Sequence, residues 1–142
     1  MNGPNLGRLG ARRPDVYGTT TLPALEDRLR ECAARLGVGL ECFQSDSEAE
    51  LIRFVDTWRS ADGLVLNPGA LMMAGWSLRD CLEDFAGLKY EVHISQVFSR
   101  ESFRHTSVLA DVMDAFIAGL GVAGYEAALS DLARRLDEVA PG

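Results

Sequence analysis

A phenol set among guanidiniums and an imidazole set beside a carboxylate are the two groups in this chain whose types and spacing could move protons. The phenol is Tyr17. It nearly closes the stretch Asn2-Gly-Pro-Asn-Leu-Gly-Arg-Leu-Gly-Ala-Arg-Arg-Pro-Asp-Val-Tyr-Gly18, which carries Arg8, Arg12 and Arg13 and has no apolar period. Cations close to a phenol favour its ionised form, so a tyrosine placed there could serve as a base. The imidazole is His93, in Glu91-Val-His93-Ile-Ser95. Side chains alternate along a strand, which puts Glu91, His93 and Ser95 on one face, and a carboxylate beside an imidazole fixes its tautomer and prepares it for proton transfer. Each feature also has a plainer reading, as a solvated loop and as the polar face of an edge strand.

Around these two groups stand polar residues suited to holding a ligand. Arg104, just before the only other histidine, His105, suits carboxylate or hydroxyl recognition. Asn67-Pro-Gly69 is a turn that also places an amide where ligands meet strand ends.

The elements that must position them can be read from periodicity. Leu22, Leu25, Leu29, Cys32, Ala33 and Leu36 recur at three and four, with Thr21 to cap the helix and Gly37 to end it. Val38, Leu40 and Cys42 alternate with Gly39 and Glu41, which predicts a strand reaching Gln44. Ser47 and Glu50 form a capping-box pattern before a helix bearing Leu51, Phe54, Val55 and Trp58. A buried strand is expected over Gly63 to Leu66, then a helix holding Trp76, Leu78 and Leu82. Tyr90 to Val97 reads as a strand, Val108 to Leu120 as a helix ending at Gly119 and Gly121, and Gly124 to Val139 as a final helix. Alternating strands and helices imply an α/β doubly wound parallel sheet covered on both faces, in a single domain over 1–142, with ligands at the carboxyl ends of the strands. That rule gathers the first loop, Ser45 to Ser47, Asn67 to Gly69 and the chain from Ser95 onward on one rim.

Composition narrows the partners. A net charge of -7 and a pI near 4.8 disfavour nucleic acid and anionic membranes. The arginines of the first loop, with Arg100 and Arg104, could still draw a small anionic substrate into a positive cleft. No apolar tract is long enough to span a bilayer and no secretion signal opens the chain, so the expected compartment is the cytoplasm. Cys32, Cys42 and Cys81 lie in apolar patterns without metal-type spacing, which predicts reduced structural thiols.

Taken in order, Asn2-Gly-Pro-Asn-Leu, Leu9 to Gly18, Thr20-Thr-Leu-Pro, Phe43-Gln-Ser, Glu50-Leu-Ile, Asn67-Pro-Gly-Ala70, Leu78-Arg-Asp80, Glu91-Val-His-Ile-Ser95, Arg100-Glu-Ser-Phe-Arg104 and Gly119 to Tyr125 resemble the type II 3-dehydroquinate dehydratases. The resemblance implies a flavodoxin-like fold and a homo-oligomer, a dodecamer built from trimers. It implies an anti elimination of water from 3-dehydroquinate through an enolate, in the shikimate pathway, with no cofactor, no metal and no Schiff-base lysine. The one lysine, Lys89, lies outside the matching motifs. Carried over by motif, Tyr17 would be the base and Arg12 the cation that holds it ionised. Asn5 would position a water at the enolate oxygen, and His93, oriented by Glu91, would be the general acid. Asn67, Ile94, Ser95 and Arg104 would bind the carboxylate and ring hydroxyls, and Asp80 would reach a neighbouring subunit's site.

Two departures stand out. Leu71-Met-Met-Ala-Gly75 replaces a polar run, so Met73 occupies the place of a histidine that binds substrate hydroxyls, and Gln96 and Phe98 replace an asparagine and a common histidine. Losing one neutral hydrogen bond costs on the order of 0.5 to 1.5 kcal/mol. This leaves open a less hydroxylated substrate, or a homologue that binds without catalysis. The second departure is that Met1 alone precedes Asn2-Gly-Pro-Asn5, where the family has an apolar strand. Either a start upstream or a sheet with its first strand truncated is expected.

Overall fold

The computed structural model describes residues 1–139. Three parallel strands form its sheet, β1 (Gly63–Leu66), β2 (Leu88–His93) and β3 (Ala115–Ala118), in the order β1-β2-β3. Gly63 pairs with Leu88 and Tyr90 with Ala115, so β2 is central. Beyond β1, Asn2 makes isolated parallel bridges to Asn67 on one side and Gln44 on the other. The two further positions of a doubly wound sheet are thus each marked by a single bridge.

A four-residue helix, α1 (Pro14–Tyr17), opens on Pro14, whose fixed φ suits a first helical turn. It is followed by α2 (Leu22–Leu36), α3 (Glu48–Thr57), α4 (Trp76–Glu83) and α5 (Ala123–Val139). The long helices begin and end where their caps dictate. Thr21 Oγ1 accepts from Ala24 N at 3.3 Å, and Gly37 takes a left-handed φ of 70° at the far end of α2. Ser47 caps α3 through Glu50 N at 3.4 Å, but the reciprocal half of the expected capping box is absent. The Glu50 carboxylate turns to the Ser45 hydroxyl, which in turn accepts from Ser47 N at 2.9 Å.

Two apolar layers follow from these faces. Leu25, Leu29, Tyr90, Val92, Leu129 and Leu132 pack α2 and α5 against one side of the sheet. Leu51, Val55, Leu66, Leu78 and Leu82 pack α3 and α4 against the other. Trp76, read from sequence as part of this core helix, is 63% exposed. It stands at the first position of α4, ahead of the turn that carries Leu78 inward.

Three elements depart from the sequence reading. The segment 38–42 has no ladder partner among the described residues, and the chain after it bridges only at Gln44. The strand expected over Tyr90 to Val97 runs from Leu88 and ends at His93, so Ser95 lies in the bend beyond it. The helix expected over 108–120 is a single 3-10 turn at Ala110–Val112 followed by β3. The open edge of β2 decides that: Asp114 donates its N–H to Lys89 O at 2.7 Å, its carboxylate accepts from Lys89 N at 2.7 Å, and the chain continues as a strand.

The Met1 α-ammonium is enclosed, donating to Val65 O at 2.8 Å. Desolvation pushes it down from 8.0 to about 6. Between those values the unfolded chain binds more protons than the folded one, so this group's contribution is fully present above about pH 8 and is lost as pH falls to about 6.

Candidate active site

The rim of the sheet is assembled by backbone contacts between loops distant in sequence. Gly3 N donates to Asn67 O at 2.8 Å, and a Cβ on Gly3 would sit 2.4 Å from Pro68 O, so only glycine allows this approach. Gly69 answers it, with a φ of 57° and its own Cβ position 2.8 Å from Pro4 O. Asn5 N donates to Asp46 Oδ1 at 2.8 Å, tying the first loop to the 45–47 turn. Beneath them the Tyr125 hydroxyl donates to Asn2 Oδ1 and accepts from Asn67 Nδ2, both at 2.7 Å. Burial pushes that phenol up, which keeps it a neutral structural link.

One cleft opens on this rim, and Tyr17, Arg12, Asn5, Asn67, Met73, His93, Ile94, Ser95 and Arg104 all line it. These are nine of the residues singled out from sequence. The other two lie elsewhere. Glu91 sits behind His93, wholly buried, and Asp80 is on α4 with a side chain 77% exposed beside Arg79. Lys89 is also outside the cleft, its ammonium donating to Phe85 O at 2.8 Å.

The imidazole is held as its strand spacing requires. His93 Nε2 lies 2.8 Å from Glu91 Oε1, which leaves Nδ1 as the ring's remaining polar atom. Sequence reading missed the third member. The Ser107 hydroxyl lies 2.9 and 2.8 Å from the two Glu91 oxygens, and Leu109 N donates to it at 3.2 Å. Only a buried tertiary contact reveals this serine. Ser107→Ala would leave a buried carboxylate short of a donor, an expected cost of about 1 to 3 kcal/mol in unfolding free energy with a matching loss of order in the imidazole. Thermal unfolding together with the exchange broadening of the His93 ring signals checks both.

Around the phenol the arrangement differs from expectation in one respect. Arg100 Nη1 donates directly to Tyr17 Oη at 2.7 Å, whereas Arg12 stacks over the ring with its Cζ 5.8 Å from the centroid. Arg100 also lies over that ring, at 5.5 Å. The phenol therefore carries two guanidiniums, the nearer one from a segment far along the chain, which local spacing could not announce. Arg8 donates to Asn5 Oδ1 at 2.8 Å, which orients the Asn5 amide and leaves its NH₂ to donate. Arg104 is paired with Glu101 at 2.9 Å. Asn67 is largely committed to the scaffold, its Oδ1 accepting from Gly69 N at 3.1 Å.

Of the three tyrosines, only Tyr17 lines the cleft: burial, then the bond to Asp131, pushes Tyr90 up to about 12, and Tyr125 is the structural link. Among the described residues no group of three or more His, Cys, Asp or Glu side chains is placed to hold a metal ion, and the three cysteines are free. No helix among them is long and apolar enough to cross a membrane.

The family model for dehydroquinase class II matches residues 1–133. The chain belongs to the class II dehydroquinase family. A 3-dehydroquinate dehydratase of Bacillus cytotoxicus is 47% identical over 142 residues, covering 97% of this chain and 95% of its own. A catabolic 3-dehydroquinase 2 of Neosartorya fischeri is 44% identical over 137 residues, covering 96% and 91%. The crystal structure of type II dehydroquinase from Propionibacterium acnes superposes with a TM-score of 0.91 at 43% identity, covering 94% of this chain and 92% of that one. At that TM-score the chain shares the α/β fold of a type II dehydroquinase.

Proposed function

We propose that this chain is a type II 3-dehydroquinate dehydratase, a hydro-lyase that removes water from 3-dehydroquinate to give 3-dehydroshikimate. The observation that carries the reading is that a phenol bonded to a guanidinium and an imidazole backed by a buried carboxylate line one cleft. Family membership and the names of its relatives support the substrate.

Tyr17, with Arg100 donating to its oxygen and Arg12 over its ring, takes the proton from the carbon beside the ketone. The C–H electron pair passes into an enolate. Asn5 stabilises that oxygen through a water to which its amide donates, where charge develops. His93 then gives a proton to the departing hydroxyl on the opposite face of the ring. The C–O bond breaks, water leaves, and the enolate collapses to a conjugated enone. Glu91 steadies the imidazole throughout. Arg104, Ser95 and the Ile94 backbone receive the carboxylate and ring hydroxyls, with Asn67 holding the floor of the cleft. Asp80 faces away from this chain's own cleft, so its part in binding requires a second copy of the chain, as in a dodecamer of trimers.

Met73 gives the wall beside Asn67 an apolar surface. Met73→His should lower KM for 3-dehydroquinate by about 2- to 10-fold, the equivalent of one recovered hydrogen bond, with little change in kcat. Steady-state kinetics checks this. The function itself is tested by adding 3-dehydroquinate and following the ultraviolet absorbance of the enone. A rising trace supports the assignment, and a flat trace from folded protein rejects it.

A further inference from the structure

One carboxylate stands between the two arginines of the segment after β2. Glu101 Oε2 accepts from Arg104 Nε at 2.9 Å and lies 3.7 Å from Arg100 Nε. Arg100 and Arg104 both line the cleft, and Glu101 does not. It lines instead an open depression on the other side of Arg100, together with Arg13, Ser99 and Gly119. A molecule in the cleft would meet the two guanidiniums and not this carboxylate, so Glu101 can act there only through them.

Each guanidinium is divided between the two sides. Arg100 turns Nη1 to the Tyr17 oxygen at 2.7 Å, with Nε toward Glu101. Arg104 gives Nε to Glu101, which leaves its Nη groups to donate elsewhere, and its Cζ lies 4.9 Å from the centroid of the Phe103 ring. A guanidinium is a rigid planar fork, so a contact on Nε sets the direction in which the Nη atoms point. Two guanidiniums that share one oxygen also repel. Their side chains are only 15% and 24% exposed, so water screens that repulsion incompletely and an anion between them offsets it. Glu101 carries that charge: a bond from its own backbone N–H, then the Arg104 guanidinium, holds its carboxyl below the usual carboxylate range.

The main chain here is held independently of that side chain. Arg104 N donates to Glu101 O at 2.9 Å and His105 N to Ser102 O at 3.1 Å, and Arg100 O accepts from His105 Nε2 at 3.0 Å. Removing the Glu101 carboxylate therefore frees two arginine side chains without undoing the turn that carries them.

We propose that Glu101 is a positioning residue, which through one oxygen aims Arg100 at the Tyr17 phenol and Arg104 into the cleft. Its effect on the reaction rests on the dehydratase reading above; the alignment of the guanidiniums does not.

The test compares Glu101→Ala and Glu101→Gln with the parent protein. Enone formation from 3-dehydroquinate gives KM and kcat, and nuclear magnetic resonance of the ligand-free protein gives the solvent exchange of arginine Nε–H groups. In Glu101→Ala the Arg104 Nε–H should exchange about tenfold or more faster, having lost its acceptor. That of Arg28, which donates to Glu126 at 2.9 Å between α2 and α5, should be unchanged. KM should rise and kcat fall, each by about 3- to 30-fold, with cooperative thermal unfolding retained. The glutamine variant separates the two arms. Its amide oxygen can still accept from Arg104 Nε, so exchange and KM should return to within about threefold of the parent, while kcat stays low because Arg100 was held by charge alone.

Unchanged Arg104 exchange in Glu101→Ala overturns the proposal. So do kinetic constants within about twofold of the parent, or a glutamine variant whose KM rises as far as that of the alanine variant. A flat enone trace from the parent protein, with Arg104 exchange quickened in Glu101→Ala, would instead reject the dehydratase reading and leave the alignment standing.

Discussion

Tyr17→Phe leaves the protein folded and lowers kcat for 3-dehydroquinate by on the order of 10² to 10⁴-fold, the usual yield of a positioned general base. The ring survives the change, and with it the packing of Tyr17 on the core around Leu6 and Leu9. Only the oxygen that accepts from Arg100 at 2.7 Å disappears. In the proposed mechanism that oxygen performs the first step, so the variant should also cease to exchange the proton beside the ketone with deuterated solvent. Nuclear magnetic resonance of the substrate reads this directly. An active variant, or one that still exchanges, would mean that another group is the base. Neither Tyr90 nor Tyr125 can substitute, since burial pushes both phenols up.

His93→Gln is the complementary case. The carboxamide can still donate to Glu91, and Ser107 keeps its own bonds to both carboxylate oxygens, so the buried Glu91 is not orphaned and the fold is retained. What is lost is a group able to give up a proton. Enone formation should fall by on the order of 10² to 10⁴-fold while solvent exchange at the carbon beside the ketone continues, because the enolate forms and returns without losing hydroxide. The opposite pairing, exchange lost with His93 and kept without the phenol, would interchange the two roles.

The parts of this site that were legible in the sequence are those set by local rules. Glu91 and His93 meet because β2 alternates its side chains, and their contact at 2.8 Å needs nothing beyond a strand. The bounds of α2 follow from Thr21 and Gly37, whose chemistry acts within one turn. The order of strands and helices then fixes which loops share a rim.

What was not legible depends on partners far along the chain. Val108, Leu109, Val112, Met113 and Phe116 recur at spacings that suit a helix, yet the free edge of β2 recruits Ala115 to Ala118 as β3. Tertiary pairing outweighed local period there. Arg100 lies on a segment whose sequence says only that it is charged, and it becomes the donor to Tyr17 because the bend after β2 brings it back over the first loop. Ser107 is equally silent until Glu91 is seen to be buried. The 38–42 segment has the alternation of a strand but no ladder partner among the described residues.

The proposed mechanism requires the phenol and the imidazole to work from opposite faces of one ring. The most direct measurement is the fate of deuterium placed at either one of the two positions on the carbon beside the ketone, followed by mass spectrometry of the enone. Loss of the label anti to the departing hydroxyl, with full retention of the other, is the result that Tyr17 and His93 on opposite faces predict. Loss of the syn label, or of both equally, would contradict it.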